Sequence, residues 1–226
     1  AIATRDVISV PPTQSIIGAV EIMTKCGFRR LPVTDAGTKK LRGIITSGDV
    51  INFMGGGDKY KLVQIRHGGN LIAAVNQSVR TIMTQQTTTL AHDSHISDAV
   101  KTIVEKKIGG LPIVDGDGVL NGIVTERDVL RVLGSERSTL NVEDVMSSSL
   151  RVTAPDCPIS TVARDMTQYR FRRLPVVSDD VLYGIVTATD IMQYLGSREV
   201  FSRLTTGDVV EVMGLPVRTL ISGDLF

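Results

Sequence analysis

The chain has 226 residues, 42% apolar and 22% charged, a globular composition that excludes a disordered chain and suffices for one large or two small cores. A formal charge of +1 leaves no bulk basic footprint for nucleic acid, and the absence of Trp with 4% aromatics removes the usual stacking platforms for single strands. No stretch approaches the roughly 18 apolar residues of a membrane span, and no charged-then-apolar leader opens the chain, so a soluble cytoplasmic protein is expected. Cys26 and Cys157 have no C-x-x-C spacing and are expected as small buried or half-buried thiols in a reducing compartment.

The first unit opens on a β-prone stretch, Val7 to Val10, and a turn at Pro11-Pro12-Thr13. Ile16, Ala19, Val20 and Met23 follow at the spacing of one buried helical face. Two β-prone segments come next, around Leu31-Pro32-Val33 and Gly43-Ile44-Ile45, joined by a polar loop. Pro32 predicts a short or edge strand, or one that leaves the sheet there. A second helix is predicted from Asp49 to Met54. The order is β-α-β-β-α.

The same order recurs twice. Leu111-Pro112-Ile113 and Leu174-Pro175-Val176 repeat the proline strand, displaced by 80 and then 63 residues. Thr87 to Leu90 opens the second unit and Leu150 to Thr153 the third. Their first helices carry Ile96/Ala99/Val100/Ile103 and Ile159/Val162/Ala163/Met166; their second helices are predicted from Asp128 to Leu133 and from Asp190 to Leu195. The repeats are thus expected at 1–54, 81–134 and 145–196, with connectors at 55–80, 135–144 and 197–219 and the start of a truncated or missing fourth repeat at 220–226. The first connector holds Gly55-Gly56-Gly57-Asp58-Lys59 and a partly helical pattern over 65–76. Its glycines lack the G-x-x-x-x-G-K-[ST] spacing of a phosphate loop and read as a helix breaker.

Between the last strand and last helix of each unit stands one turn, written Gly43-Ile-Ile-Thr-Ser-Gly-Asp49, Gly122-Ile-Val-Thr-Glu-Arg-Asp128 and Gly184-Ile-Val-Thr-Ala-Thr-Asp190. Thr with Asp three residues on is a capping-box pattern that satisfies free N–H groups at a helix start. The same hydroxyl, carboxylate and helix N-terminus suit phosphate and ribose. Both readings stay open at this level. The basic residues are uneven: Arg29-Arg30 and Arg172-Arg173 precede the Leu-Pro of repeats one and three, where repeat two has Gly109-Gly110. Equal register in two repeats points to a role, and guanidinium suits bidentate phosphate recognition. The histidines at 67, 92 and 95 have no further ligand-type partner in the spacing of a metal site, and no nucleophile–base or paired-carboxylate arrangement stands out. No catalytic residue, metal or catalytic cofactor is expected.

A unit of about 60 residues with Leu-Pro-Val/Ile and Gly-Ile-Val/Ile-Thr-x-x-Asp, in three copies, resembles the CBS domain. The long first connector Phe53-Met-Gly-Gly-Gly-Asp-Lys-Tyr60 and the spelling Phe-Arg-Arg-Leu-Pro-Val resemble archaeal four-CBS proteins related to the gamma subunit of AMP-activated protein kinase. The resemblance implies an α/β (α+β) fold of tandem CBS domains, paired into Bateman-type modules in a disk-like assembly with adenine nucleotide in the clefts. It implies Asp49, Asp128 and Asp190 on ribose hydroxyls, and Thr46, Thr125, Thr187, Arg29, Arg30, Arg127, Arg172 and Arg173 on phosphate. It implies backbone contacts to adenine at the level of Ile8, Thr88 and Arg151. The two carboxylate oxygens of an aspartate can accept from both ribose hydroxyls, which agrees. Gly109 and Gly110 would leave room where further arginines would crowd. The implied function is a non-catalytic energy sensor for AMP, ADP or ATP that reports to a regulated protein partner. A homodimer or pairing with a fourth repeat is implied too, with no membrane or nucleic-acid partner. The alternatives are a structural or oligomerisation module with empty clefts, an S-adenosylmethionine-binding regulator, and a module serving a catalytic domain on another segment or chain.

Overall fold

Three copies of one strand–helix arrangement make up the computed structural model, which describes residues 7–55, 78–133 and 140–195. The glycines at 56 and 57, the helical pattern at 65–76, His67, the linker over 134–139 and the expected fourth-repeat start lie outside the described residues. Repeat one holds α1 (Ile16–Cys26), β1 (Arg30–Thr34), β2 (Leu41–Thr46) and α2 (Ser47–Gly55). Repeat two holds β3 (Leu90–Ala91), α3 (Ile96–Lys106), β4 (Gly110–Val114), β5 (Leu120–Thr125) and α4 (Glu126–Leu133). Repeat three holds α5 (Ile159–Tyr169), β6 (Arg173–Ser178), β7 (Val181–Thr187) and α6 (Ala188–Leu195).

The first helices form where the spacing predicts, and all twelve periodic residues except Val100 are buried. Ser15 caps α1 by accepting from the Gly18 amide, and Gly27 closes it in the left-handed region at φ 68°. Cys26 corrects the expectation of a buried thiol: although it continues the spacing of Ala19 and Met23, it is the last residue of α1 and is exposed. The second helices start two residues before the turn aspartates, since the threonine is the cap and the aspartate the third helical residue.

The opening strands are shorter than the sequence predicts. Val10 and Thr153 make single parallel bridges to Val33 and Val176, and only repeat two has a two-residue strand, β3. The proline strands run opposite to expectation. In repeat two β4 is the central strand of the order β3-β4-β5, and β1 likewise has Val10 on one side and β2 on the other. The reason lies in the ladder. The Val10 amide donates to the Pro32 carbonyl at 2.9 Å and the Thr34 amide donates to the Val10 carbonyl at 2.9 Å. Thr153 bonds Pro175 and Val177 in the same way, at 3.0 and 2.9 Å. The N–H that proline lacks therefore points to the side where the parallel neighbour has already ended, and proline costs the ladder nothing.

The chain divides into two compact units. The first contains repeat one with α5 and α6; α2 packs on α5 and α6, and α1 on α6. The second contains repeat two, residues 140–157 and the strands of repeat three up to Val186, around a core of Ala99, Leu111, Ile113, Val124 and Val142. Within this second unit the β4–β5 and β6–β7 hairpins join tip to tip. The Leu120 amide donates to the Asp180 carbonyl at 3.1 Å, and the Leu182 amide to the Gly118 carbonyl at 3.0 Å.

Two straps tie those hairpins together reciprocally. Thr84, at the entry to repeat two, exchanges backbone hydrogen bonds of 2.9 and 3.0 Å with Ile185 of repeat three. Ser147, at the entry to repeat three, exchanges two of 3.0 Å with Ile123 of repeat two. Each strap needs a glycine beneath it. A Cβ on Gly184 would lie 2.7 Å from the Thr84 carbonyl oxygen, and one on Gly122 would run into the Met146 side chain. Backbone cannot yield as a methionine can. Gly184→Ala should therefore destabilise the protein by about 1–3 kcal/mol and Gly122→Ala by less, as read from urea unfolding midpoints.

Candidate ligand-binding site

The three Thr-x-x-Asp turns adopt one geometry. The threonine amide donates to Oδ2 of the aspartate at 2.8, 3.0 and 2.7 Å in repeats one, two and three. The threonine hydroxyl donates to the same oxygen at 2.6, 2.6 and 2.7 Å. In repeats one and three the aspartate amide donates back to the hydroxyl, at 3.2 and 3.3 Å, completing the capping box. One carboxylate oxygen thus takes the whole cap. Among the described residues nothing bonds Oδ1 of Asp49 or Asp190, whereas Oδ1 of Asp128 lies 3.8 Å from the Arg131 guanidinium.

A second backbone bond brings the strand starts to the same place. The first helical amide donates to the carbonyl just before the proline strand: Ser47 to Arg29 at 3.0 Å, Glu126 to Gly109 at 3.3 Å and Ala188 to Arg172 at 2.9 Å. Whatever side chain occupies that strand start is thereby set beside a helix N-terminus. In the first unit this builds a cavity of about 400 Å³. Thr46, Ser47, Gly48 and Asp49 line it from repeat one together with Arg29 and Arg30; Thr167, Arg170, Phe171 and Arg172 line it from repeat three. Four exposed guanidinium groups and the positive end of α2 thus surround one aspartate.

The other sequence candidates are distributed differently. Arg173 does not line this cavity: it belongs to the second unit, where its guanidinium fills the space over Gly109 and Gly110. A Cβ on Gly110 would strike that guanidinium and approach the Val124 carbonyl to 2.9 Å, so the paired glycines make room for it. Arg127 is exposed near the start of α4, beside the Thr125–Asp128 turn. Thr187 and Asp190 cap α6, of which Ala188 reaches the cavity. Ile8, Thr88 and Arg151 do not line the cavity. They sit two residues before the first parallel bridge, where each proline withholds the N–H that would carry the ladder onward. His92 Nδ1 lies 3.3 Å from a Glu143 carboxylate oxygen, and among the described residues no three His, Cys, Asp or Glu side chains converge as metal ligands.

Arg170 was not legible as a site residue. It closes α5 in the left-handed region at φ 58°, where repeat one has Gly27 and repeat two Lys107 at φ 53°. The left-handed backbone costs a non-glycine residue about 1–2 kcal/mol there, and the Arg170 side chain lies on the cavity wall. The only trace in the sequence is a basic residue at the position where α1 ends in glycine.

The CBS-domain family profile matches residues 1–56, 79–135 and 142–197. An uncharacterized protein of Methanocaldococcus jannaschii, MJ1225, is 39% identical over 222 residues, which is 98% of this chain and 79% of that protein. A crystal structure of a conserved protein from Pyrococcus horikoshii superposes with a TM-score of 0.69 at 26% identity, covering 86% of this chain and 81% of that one. The crystal structure of MJ1225, whose description relates it to g-AMPK, superposes with a TM-score of 0.51 at 23% identity over 85% of this chain and 97% of that one, a likeness of fold. Among the described residues no helix is long and apolar enough to cross a membrane.

Burial raises the Asp190 carboxyl above its ordinary 3.8, against the Thr187 hydrogen bonds that favour the ionised form. The native state then holds this proton more tightly than the unfolded chain does. Its contribution to stability is greatest at low pH and falls as pH rises from 3.8 through the native value. An NMR titration of the Asp190 carboxyl should place its midpoint above 3.8, and Asp190→Asn should flatten that part of the stability profile. Thr46→Ala, which removes the hydroxyl from the α2 cap, should cost about 1 kcal/mol in urea unfolding.

Proposed function

We infer the function of this chain from the fact that it belongs to the CBS-domain family and from the charge around its cavity. It is a non-catalytic regulatory module that binds an adenine nucleotide, AMP, ADP or ATP, and passes the state of that ligand to a protein partner. The observation that carries this reading is the convergence of Arg29, Arg30, Arg170 and Arg172 on the N-terminus of α2. Guanidinium and helix amides are the two protein groups best suited to phosphate oxygens, and they meet here with room for a small ligand. Oδ1 of Asp49 lies within the same wall as the acceptor for ribose hydroxyls, its Oδ2 being held by the cap.

The same charges argue against S-adenosylmethionine in this cavity. Its sulfonium would enter among four guanidinium groups with a single carboxylate to offset them. Binding is favoured over catalysis because the lining residues include no His, Cys, Lys or Glu and only one acid, Asp49, whose Oδ2 is committed to the cap. The second turn is a weaker phosphate site: Glu126 occupies its first helical position, and Asp128 faces Arg131. A ligand in the first-unit cavity touches repeat one and the α5 end of repeat three at once. It therefore shifts their packing by its differential affinity for the alternative arrangements.

The capping boxes support a second reading, a structural module whose turns only hold helices. Isothermal titration with AMP, ADP, ATP and S-adenosylmethionine separates the two. Nucleotides should bind, and more tightly as phosphates are added. Arg172→Ala should weaken binding by about 10- to 100-fold, the loss of a charge-assisted hydrogen bond of about 1.5–3 kcal/mol. Asp49→Ala should abolish binding here while circular dichroism stays native. If a folded chain takes up no nucleotide, and Asp49→Ala only lowers the melting temperature, the structural reading holds instead.

A further inference from the structure

Gly48 is the second residue of α2 and lies exposed on the wall of the first-unit cavity. Glycine in the first turn of a helix lowers its stability relative to alanine, so the position calls for a reason. The surrounding structure supplies none. A Cβ on Gly48 would meet the Thr46 hydroxyl oxygen at 3.5 Å, an ordinary contact, and its backbone is outside the left-handed region. Elsewhere glycine is required: Gly27 and Gly118 have φ of 68° and 80°, and Gly110, Gly122 and Gly184 lie under atoms that a Cβ would strike. The turn itself accepts side chains. Arg127 and Thr189 stand at the register of Gly48, two residues after Thr125 and Thr187, in turns with the same cap bonds. Neither of those residues lines the cavity, and Gly48 does.

We propose that Gly48 is a specificity-determining residue of this cavity: its missing side chain lets the phosphate chain of a nucleotide lie directly on the backbone of α2. The inference rests on the reading of the cavity as a nucleotide site. The amides on either side of Gly48 are engaged, Ser47 with the Arg29 carbonyl at 3.0 Å and Asp49 with the Thr46 hydroxyl at 3.2 Å. A phosphate oxygen laid over Gly48 accepts from the amide between them, and Arg29, Arg30, Arg170 and Arg172 on the same wall take its other oxygens. A β-carbon at position 48 would occupy that space and hold the phosphate away from the amide. Larger side chains would hold it farther off, so position 48 sets how deeply a phosphorylated ligand sits.

Isothermal titration of ATP into the 226-residue chain and into Gly48→Ala and Gly48→Thr tests this, with thermal melts of all three. Gly48→Ala should weaken ATP binding by about ten-fold or more and Gly48→Thr further, while the melting temperature of Gly48→Ala stays level or rises. Binding lost as the fold holds or gains stability is the opposite of what a structural glycine gives. In an Arg172→Ala background the loss from Gly48→Ala should shrink, because both residues act on the same phosphate. Variants that bind ATP as tightly as the parent overturn the proposal. So does a lowered melting temperature in Gly48→Ala, or an equal loss with and without Arg172. A parent chain that takes up no ATP is a different result: it removes the nucleotide reading of the cavity, and this inference with it.

Discussion

The bond on which the repeats depend runs from a threonine's amide and hydroxyl to a single carboxylate oxygen three residues later. It ends a strand and begins a helix without a loop between them. The next amide donates to the carbonyl before the proline strand, so strand start, strand end and helix start are fixed within one turn. A cap contributes about 1 kcal/mol, and three of them are a sizeable part of a net stability of about 5–15 kcal/mol. Their larger consequence is positional. Side chains at the strand start are delivered to a helix N-terminus whatever they are, and there the repeats differ: arginine pairs in repeats one and three, a glycine pair in repeat two.

Missing atoms shape this molecule as much as present ones. Glycine at 184 admits the Thr84 strap, glycine at 122 admits Met146, and the pair at 109 and 110 admits Arg173. Proline at 32 and 175 lacks the amide that would extend the parallel ladder, so the opening strand stops after one bridge. Each absence would weaken an isolated element, and each is offset by a contact from elsewhere in the same unit.

Net charge conceals the electrostatics. A chain of formal charge +1 still gathers four arginines around one aspartate, because two come from one repeat and two from another. Only the packing of α2 on α5 brings them onto the wall of one cavity. The second unit retains the same cap, with an acid at its first helical position and an ion pair on its aspartate.

Much of this was legible from residue order. Periodicity marked the three first helices because a helix buried on one side must repeat its apolar residues at 3.6, and the register of Thr-x-x-Asp marked the caps because those bonds are local. The family followed from the same register. What depends on residues distant in the chain was not legible. Nothing local says that Pro32 and Pro112 lie in inner strands, since that depends on which side a neighbour ends. Nothing local separates Arg172, on the cavity wall, from Arg173, which turns to the glycines of another repeat; adjacent residues of a strand point to opposite faces, and only tertiary packing decides what each face meets.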